Sequence, residues 1–234
     1  MTSQGADTDM KRPSWGRLLM EGPAAVRLLA AQARPARLRE PLGRGRAVLV
    51  IPAFLANDLP TAHLRRTLNA CGFSAFGWSE GLNMGARRGK FERLLSRIDS
   101  IAAEAPDGKV ALVGWSLGGL WARELAKRRP DKVSLVATLG TPFSGGLRRN
   151  NAWKLYEMVN DHDVDHPPVR TEPPVKPPVR TIAFWSRRDG IVAPGSASGK
   201  DGERDEAIEL FCRHNVMVSD PEALEALVRV LAED

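Results

Sequence analysis

A short apolar run, Val110-Ala111-Leu112-Val113, passes through Gly114-Trp115-Ser116-Leu117-Gly118 directly into a helical pattern. Leu117, Leu120, Trp121 and Leu125 recur at helical spacing as far as Lys127-Arg128-Arg129-Pro130. Strand, sharp turn and helix must therefore follow one another with no spacer. A serine at the tip of such a turn has its hydroxyl lifted above the sheet. The N–H groups that follow, Leu117 first, lie at a helix N-terminus where negative charge is stabilised. Glycines at 114 and 118 suit a turn whose neighbouring backbones leave no room for a Cβ. Acyl transfer needs both the nucleophile and the donors. Ser116 could also be read as an ordinary N-cap, but the strand before it and the partners described below favour a nucleophile.

The rest of the chain alternates in the same way. Ala47-Val48-Leu49-Val50-Ile51 is continuously apolar, the mark of a strand buried on both faces of a parallel sheet, and it ends in Pro52-Ala53-Phe54-Leu55-Ala56-Asn57-Asp58. Asp58, followed by Pro60, is expected to open a helix closing near Cys71-Gly72, with a strand over 73–78 after it. Ser79 to Lys90 reads as a loop. Phe91, Leu94, Leu95, Ile98 and Ile101 then mark a helix that Pro106-Asp107-Gly108 ends before the central strand. Val133 to Leu139 is a further strand. The stretch 144–178 carries one short apolar patch, Trp153-Leu155-Tyr156-Met158-Val159, and reads as a small cap excursion. Strands over 179–185 and 207–211 resume the sheet, and Ser219-Asp220-Pro221-Glu222 reads as a capping box opening a last helix. Such alternation predicts a doubly wound α/β fold. Residues 1–13 are expected to be a disordered tail, and 14–234 a single domain.

In open α/β sheets ligands bind outside the carboxyl ends of the strands, so partners for Ser116 are sought just after strands. Asp189, in Ser186-Arg187-Arg188-Asp189-Gly190, directly follows the strand ending at Trp185, where a carboxylate can orient an imidazole. Asp-Gly is otherwise a common solvated turn. Of the four histidines, His214 alone follows both the serine and the acid at a strand end, the place for a general base.

The chain order Ser116, Asp189, His214 resembles that of the α/β-hydrolase superfamily. Pro52-Ala53-Phe54-Leu55, the Gly114-Trp115-Ser116-Leu117-Gly118-Gly119 elbow, Leu139-Gly140-Thr141-Pro142-Phe143, Asp189-Gly190-Ile191-Val192 and Arg213-His214 look like bacterial lipase and esterase relatives. The resemblance covers nearly all of the chain from Ala47 onward. It implies an α/β-hydrolase fold with a mostly parallel sheet reduced to about six strands, since no early antiparallel strands precede Ala47. It also implies hydrolysis of a carboxylic ester through an acyl-enzyme, with no metal or organic cofactor. The oxyanion donors it implies are the backbone N–H groups of Leu117 and Phe54, with Ala53 where relatives usually carry glycine. Leu55, Trp78, Trp115, Trp153 and Tyr156 are the candidate substrate-binding residues. A thioesterase or an acyltransferase would use the same triad. A non-catalytic binding protein of this fold would be expected to have lost one triad member.

Composition narrows the partners. With 43% hydrophobic and 26% charged residues, the 234-residue chain can bury one large core. A net charge of +6 comes from arginines spread along the chain, without an aromatic-interleaved basic box, which argues against nucleic acid. Two cysteines, Cys71 and Cys212, give no disulfide framework and suit a reducing, cytoplasmic setting. No apolar run approaches the roughly 18 residues of a membrane span. Residues 15–39 mix Trp15, Leu18, Leu19, Met20, Val26, Leu28 and Leu29 with arginines, around Gly22-Pro23. That pattern reads as one or two surface helices, and its basic amphipathic face suits peripheral membrane contact. His162-Asp163-Val164-Asp165-His166 groups metal-ligating residue types but has no helical i, i+4 spacing to hold them, so no metal is expected. Cys212, two residues before His214, lacks an activating elbow and is read as packing. A small-molecule ester is the expected partner; the oligomeric state is not legible.

Overall fold

The computed structural model describes residues 10–36, 38, 41–85, 88–145 and 171–233. Six strands form one sheet: β1 (Ala47–Ile51), β2 (Ser74–Gly77), β3 (Val110–Trp115), β4 (Val133–Leu139), β5 (Arg180–Trp185) and β6 (Glu206–Glu209). Their order is β2-β1-β3-β4-β5-β6, and every neighbouring pair is parallel. All residues of β1 and β3 are buried, as continuous apolar runs require of strands covered on both faces. The order reverses between β1 and β3, whose carboxyl ends carry the loop at Pro52 and the turn at Ser116.

Side-chain alternation divides the core into two layers. Val48, Val50, Val113, Leu135, Ala137, Ile182 and Phe184 face one side. There they meet α2 (Glu21–Ala31), α3 (Ala62–Ala70) and α7 (Pro221–Ala232) through Leu28, Leu64, Leu68, Leu224 and Leu227. Leu49, Ile51, Val110, Leu112, Val133 and Val136 face the other side. That layer is covered by α4 (Arg88–Glu104) and α5 (Leu117–Arg128) through Phe91, Leu94, Ile98, Trp121 and Leu125. Val133 and Val136 share a face although three residues apart, because β4 carries an extra residue against β3 between the Val110 and Leu112 registers.

Several local expectations change. Among the described residues two helices precede the sheet, α1 (Trp15–Leu19) and α2, but the break falls at Met20, and Gly22-Pro23 lies inside the first turn of α2, where proline is tolerated. The last helix is capped by Asp220, whose carboxylate accepts from the N–H groups of Glu222 and Ala223, while the Ser219 hydroxyl donates to Val216 O. A short helix, α6 (Pro194–Ser198), stands where no periodicity announced one. Of the cap excursion, residues 146–170 lie outside the described residues, and the His162 to His166 cluster with them.

Asp58 does not open a helix. α3 begins four residues later, and the Asp58 carboxylate instead accepts from Trp78 N–H and Ser79 N–H, both at 2.9 Å. These donors lie where the chain leaves β2, with Ser79 at φ 60°. The carboxylate thus replaces a ladder that has ended. Asp58→Ala is expected to cost about 1.5–3 kcal/mol, the range for hydrogen bonds to a charged group. For a chain of this size that lowers Tm by roughly 4–10 °C. Thermal unfolding of the variant checks this, and an unchanged Tm would show that water serves those N–H groups equally well.

Candidate active site

Ser116 occupies the turn between β3 and α5 with φ 54° and ψ −119°, a left-handed conformation unusual for a residue with a side chain. Its side chain makes no capping bond to the helix, which removes the N-cap reading. Three hydrogen bonds hold the backbone there. Ser116 N–H donates to Leu139 O at 2.8 Å, and Ser116 O accepts from Gly119 N–H at 3.0 Å and from the Thr141 hydroxyl at 2.9 Å. The flanking glycines are required by close approach. A Cβ on Gly114 would overlap the backbone of Gly118 and Gly119, and one on Gly118 would overlap the carbonyl oxygen of Ile51 at the end of β1. The start of α5 is thereby pressed against the exit of β1.

That exit leads into the loop that carries Phe54. Phe54 is half-buried and Leu55 is at φ 59°. The loop is closed by Asn83, whose side chain is fully buried. Asn83 Nδ2 donates to Pro52 O at 2.7 Å, its N–H donates to Ala56 O at 2.8 Å, and its carbonyl accepts from Leu55 N–H at 2.8 Å. Asn83 therefore braces the Phe54 loop. Leu117, the first residue of α5, has no carbonyl a turn behind it within the helix to receive its N–H.

Asp189 and His214 form a buried pair, with 1% and 2% of their side chains exposed. Asp189 Oδ2 lies 2.7 Å from His214 Nδ1. Since a carboxylate only accepts, Nδ1 carries the proton and Nε2 is left as the basic nitrogen. Asp189 Oδ1 is held in turn by the N–H groups of Ile191 at 2.7 Å and Val192 at 2.8 Å. Burial by itself would lower the imidazole pKa, but the Asp189 charge and hydrogen bond, with the charge of Glu21, raise it above the ordinary histidine value. Ser186 joins the two loops, its hydroxyl donating to Cys212 O at 2.7 Å and accepting from Arg188 N–H at 3.0 Å.

Gly140 joins this pair to the serine. Its neighbour Leu139 accepts the Ser116 N–H, while Gly140 itself, at φ 58°, lies under the pair. A Cβ there would stand 2.9 Å from His214 Nδ1 and 3.1 Å from Asp189 Oδ2. Ser116 and His214 thus flank the same dipeptide at the end of β4.

The candidate binding residues divide. Leu55 is exposed at the exit of β1. Trp78 is wholly buried, edge-on to Trp121, with Nε1–H donating to Gly81 O, so its ring belongs to the α4–α5 layer, away from the Ser116 turn. Trp115 is also core, and its Nε1–H donates to His214 O at 3.2 Å, which makes it a support for the histidine loop. Both rings thus lie in the core layers, Trp115 on one side of the sheet and Trp78 on the other. Trp153 and Tyr156 lie outside the described residues. Cys212 is buried and its thiol is pushed up by desolvation and then by Asp220, the opposite of an activated nucleophile.

A family model described as the alpha/beta hydrolase fold matches residues 68–174. A pimeloyl-[acyl-carrier protein] methyl ester esterase of Aromatoleum aromaticum is 44% identical over 54 residues, 23% of this chain and 21% of that protein. A triacylglycerol lipase of Pseudarthrobacter phenanthrenivorans is 40% identical over 57 residues, 24% of this chain and 18% of that protein. The matched stretches span about a fifth of the length of these relatives. The crystal structure of naproxen esterase from Bacillus subtilis superposes with a TM-score of 0.55 at 14% identity, covering 89% of this chain and 96% of that one. Six parallel strands in this order, the matching family model and the structural likeness together identify the architecture: the chain is built on the α/β-hydrolase fold.

Proposed function

We propose that the protein is a serine hydrolase that cleaves carboxylic esters through an acyl-enzyme. The observation that carries this reading is the strained, uncapped Ser116 at a helix N-terminus, one dipeptide away from a buried Asp189–His214 pair. In this reading His214 Nε2 takes the Ser116 hydroxyl proton as Oγ attacks the ester carbonyl. Asp189 keeps the other ring nitrogen protonated and stabilises the imidazolium. The N–H groups of Leu117 and Phe54 receive the negative oxygen of the tetrahedral intermediate. When the intermediate collapses, His214 returns the proton to the leaving alcohol. A water, deprotonated by the same imidazole, then releases the acid and restores Ser116. The esterase and lipase names of the relatives support ester chemistry, while a thioester would follow the same steps with a thiol leaving.

The only apolar patch in the cap excursion is the short stretch around Trp153 and Tyr156, too little to cover a long hydrocarbon channel, so short to medium acyl chains are the proposed substrates. The N-terminal helices add a second surface. Trp15, Leu19, Val26 and Leu29 are 79%, 75%, 67% and 62% exposed, beside exposed Arg17 and Arg27. An apolar face edged by cations fits the surface of an anionic bilayer, where the enzyme would sit without spanning it. Among the described residues no helix is long and apolar enough to cross a membrane.

Nitrophenyl esters of increasing chain length, with acyl thioesters in parallel, should show a maximum at short to medium chains and no jump above the solubility limit. Turnover should be lost on phosphonate labelling of Ser116. Ser116→Ala and His214→Ala are expected to remove on the order of 10⁴-fold or more of the activity, Asp189→Asn somewhat less. Near-parental turnover by Ser116→Ala refutes the mechanism.

The pH profile has a definite sign. The base must be neutral to accept the serine proton, and its pKa is raised, so kcat/KM should fall as pH drops through a value above the ordinary 6.5 of histidine. A plateau that persists well below 6.5 contradicts that assignment.

Co-sedimentation should separate vesicles containing phosphatidylserine, which are expected to carry the protein down at low salt, from pure phosphatidylcholine, which should not. Equal recovery in the two supernatants would remove the membrane proposal.

A further inference from the structure

Glu21 reaches the candidate triad from the opposite end of the sequence. Its side chain is 3% exposed and spans two loops. Oε1 accepts from Gly190 N–H at 2.9 Å and from His214 N–H at 3.1 Å, and Oε2 accepts from Asn215 N–H at 3.0 Å. The Glu21 carbonyl accepts from the Asn215 side-chain amide at 3.1 Å, completing the clasp. Gly190 directly follows the acid and His214 is the base, so one carboxylate holds the backbone on both sides of the Asp189–His214 hydrogen bond. The seat is tight, since a Cβ on Gly190 would overlap the carbonyl oxygen of Arg17 and stand 2.9 Å from Glu21 Cγ.

Nothing in the cores requires an acid at this position. The rest of the inward face of α2 is Ala24, Leu28 and Ala31, which bury apolar surface in the ordinary way. A buried carboxylate is costly unless donors meet it, and here three backbone N–H groups converge on its two oxygens. An amide of the same shape would turn its NH2 group toward one of those donors and leave the pair unmatched.

We propose that Glu21 is a positioning residue for the Asp189–His214 pair, fixing the loops that carry acid and base at one spacing and so orienting the imidazole for Ser116. The proposal rests on the serine-hydrolase reading of the site. Glu21 touches no substrate and takes up no proton in the reaction. It acts through the backbone of residues 190, 214 and 215, and through a negative charge that joins that of Asp189 in favouring the imidazolium. Among the described residues, Asp189, from the loop after β5, and Glu21, from α2, are the charged groups that bear on the ring.

The test compares two variants of the full chain with the parent. Glu21→Gln keeps the shape and removes the charge and one acceptor. It should lower kcat on the order of 10- to 100-fold, as small misplacements of catalytic groups do, with KM within about twofold. The acidic limb of its kcat/KM profile should move to lower pH. Glu21→Asp keeps the charge but is one methylene short of spanning three donors, so it should lose turnover while the limb stays near that of the parent. The same titration is read without substrate from the ring NMR signals of His214, assigned by their loss in His214→Gln. A parent that hydrolyses no ester and is not labelled at Ser116 defeats the enzymatic reading, and with it the proposed role, whereas parental titration and kcat in Glu21→Gln defeat the role of Glu21 alone. Global unfolding of Glu21→Gln together with full turnover by Glu21→Asp assigns the carboxylate to stability and overturns the proposal.

Discussion

Everything at this site depends on keeping Ser116 in a backbone conformation it would not choose. A left-handed residue with a side chain costs about 1–3 kcal/mol and persists only where its surroundings over-determine it. The surroundings here are β3 behind, α5 ahead, β1 beneath the helix start and β4 alongside, each making backbone contact with the turn. The strain is thus carried by the four central elements of the domain. A hydroxyl displayed in this way has no capping partner to satisfy it, which leaves it available for chemistry.

The sheet order explains why the other groups gather at that point. The chain moves outward from β1 to β2, returns past β1 to β3, and then proceeds in one direction to β6. The crevice opened by that reversal lies between the carboxyl ends of β1 and β3. The Phe54 loop and the Ser116 turn form its two lips, while the loops after β5 and β6 supply the buried pair two and three strands beyond β3. Gly140, at the end of the intervening β4, is the spacer that lets them approach.

Much of this was legible in the amino-acid order. Runs such as Ala47 to Ile51 and Val133 to Leu139 announce buried strands because both faces are covered, and strand ends followed by Ser116, Asp189 and His214 announce where polar groups can collect. What escaped reading is long-range satisfaction of backbone N–H groups. Asp58 resembles a helix cap in sequence, yet its carboxylate serves donors 20 and 21 residues away. Asn83 passes for a turn residue and proves to be the brace of a neighbouring loop. Glu21 sits in a basic amphipathic stretch whose apolar pattern gives no sign of an inward acid. Trp78 and Trp115 mislead in the other direction, because an aromatic next to a loop has the same sequence signature whether its ring turns to a pocket or to the core.

The bonds of Glu21 also set an order of events during synthesis. A chain emerging from its N-terminus presents α1 and α2 before the sheet, but the groups that receive Glu21 lie 169, 193 and 194 residues later. Until then only the far end of α2 has a seat, where the Gln32 side chain donates to Pro60 O and accepts from His63 N–H. Contacts of such sequence separation form late and slow the search for the native topology. The clasp of Glu21 on the loops of Asp189 and His214 can therefore close only once residue 215 has been translated, after all six strands of the sheet.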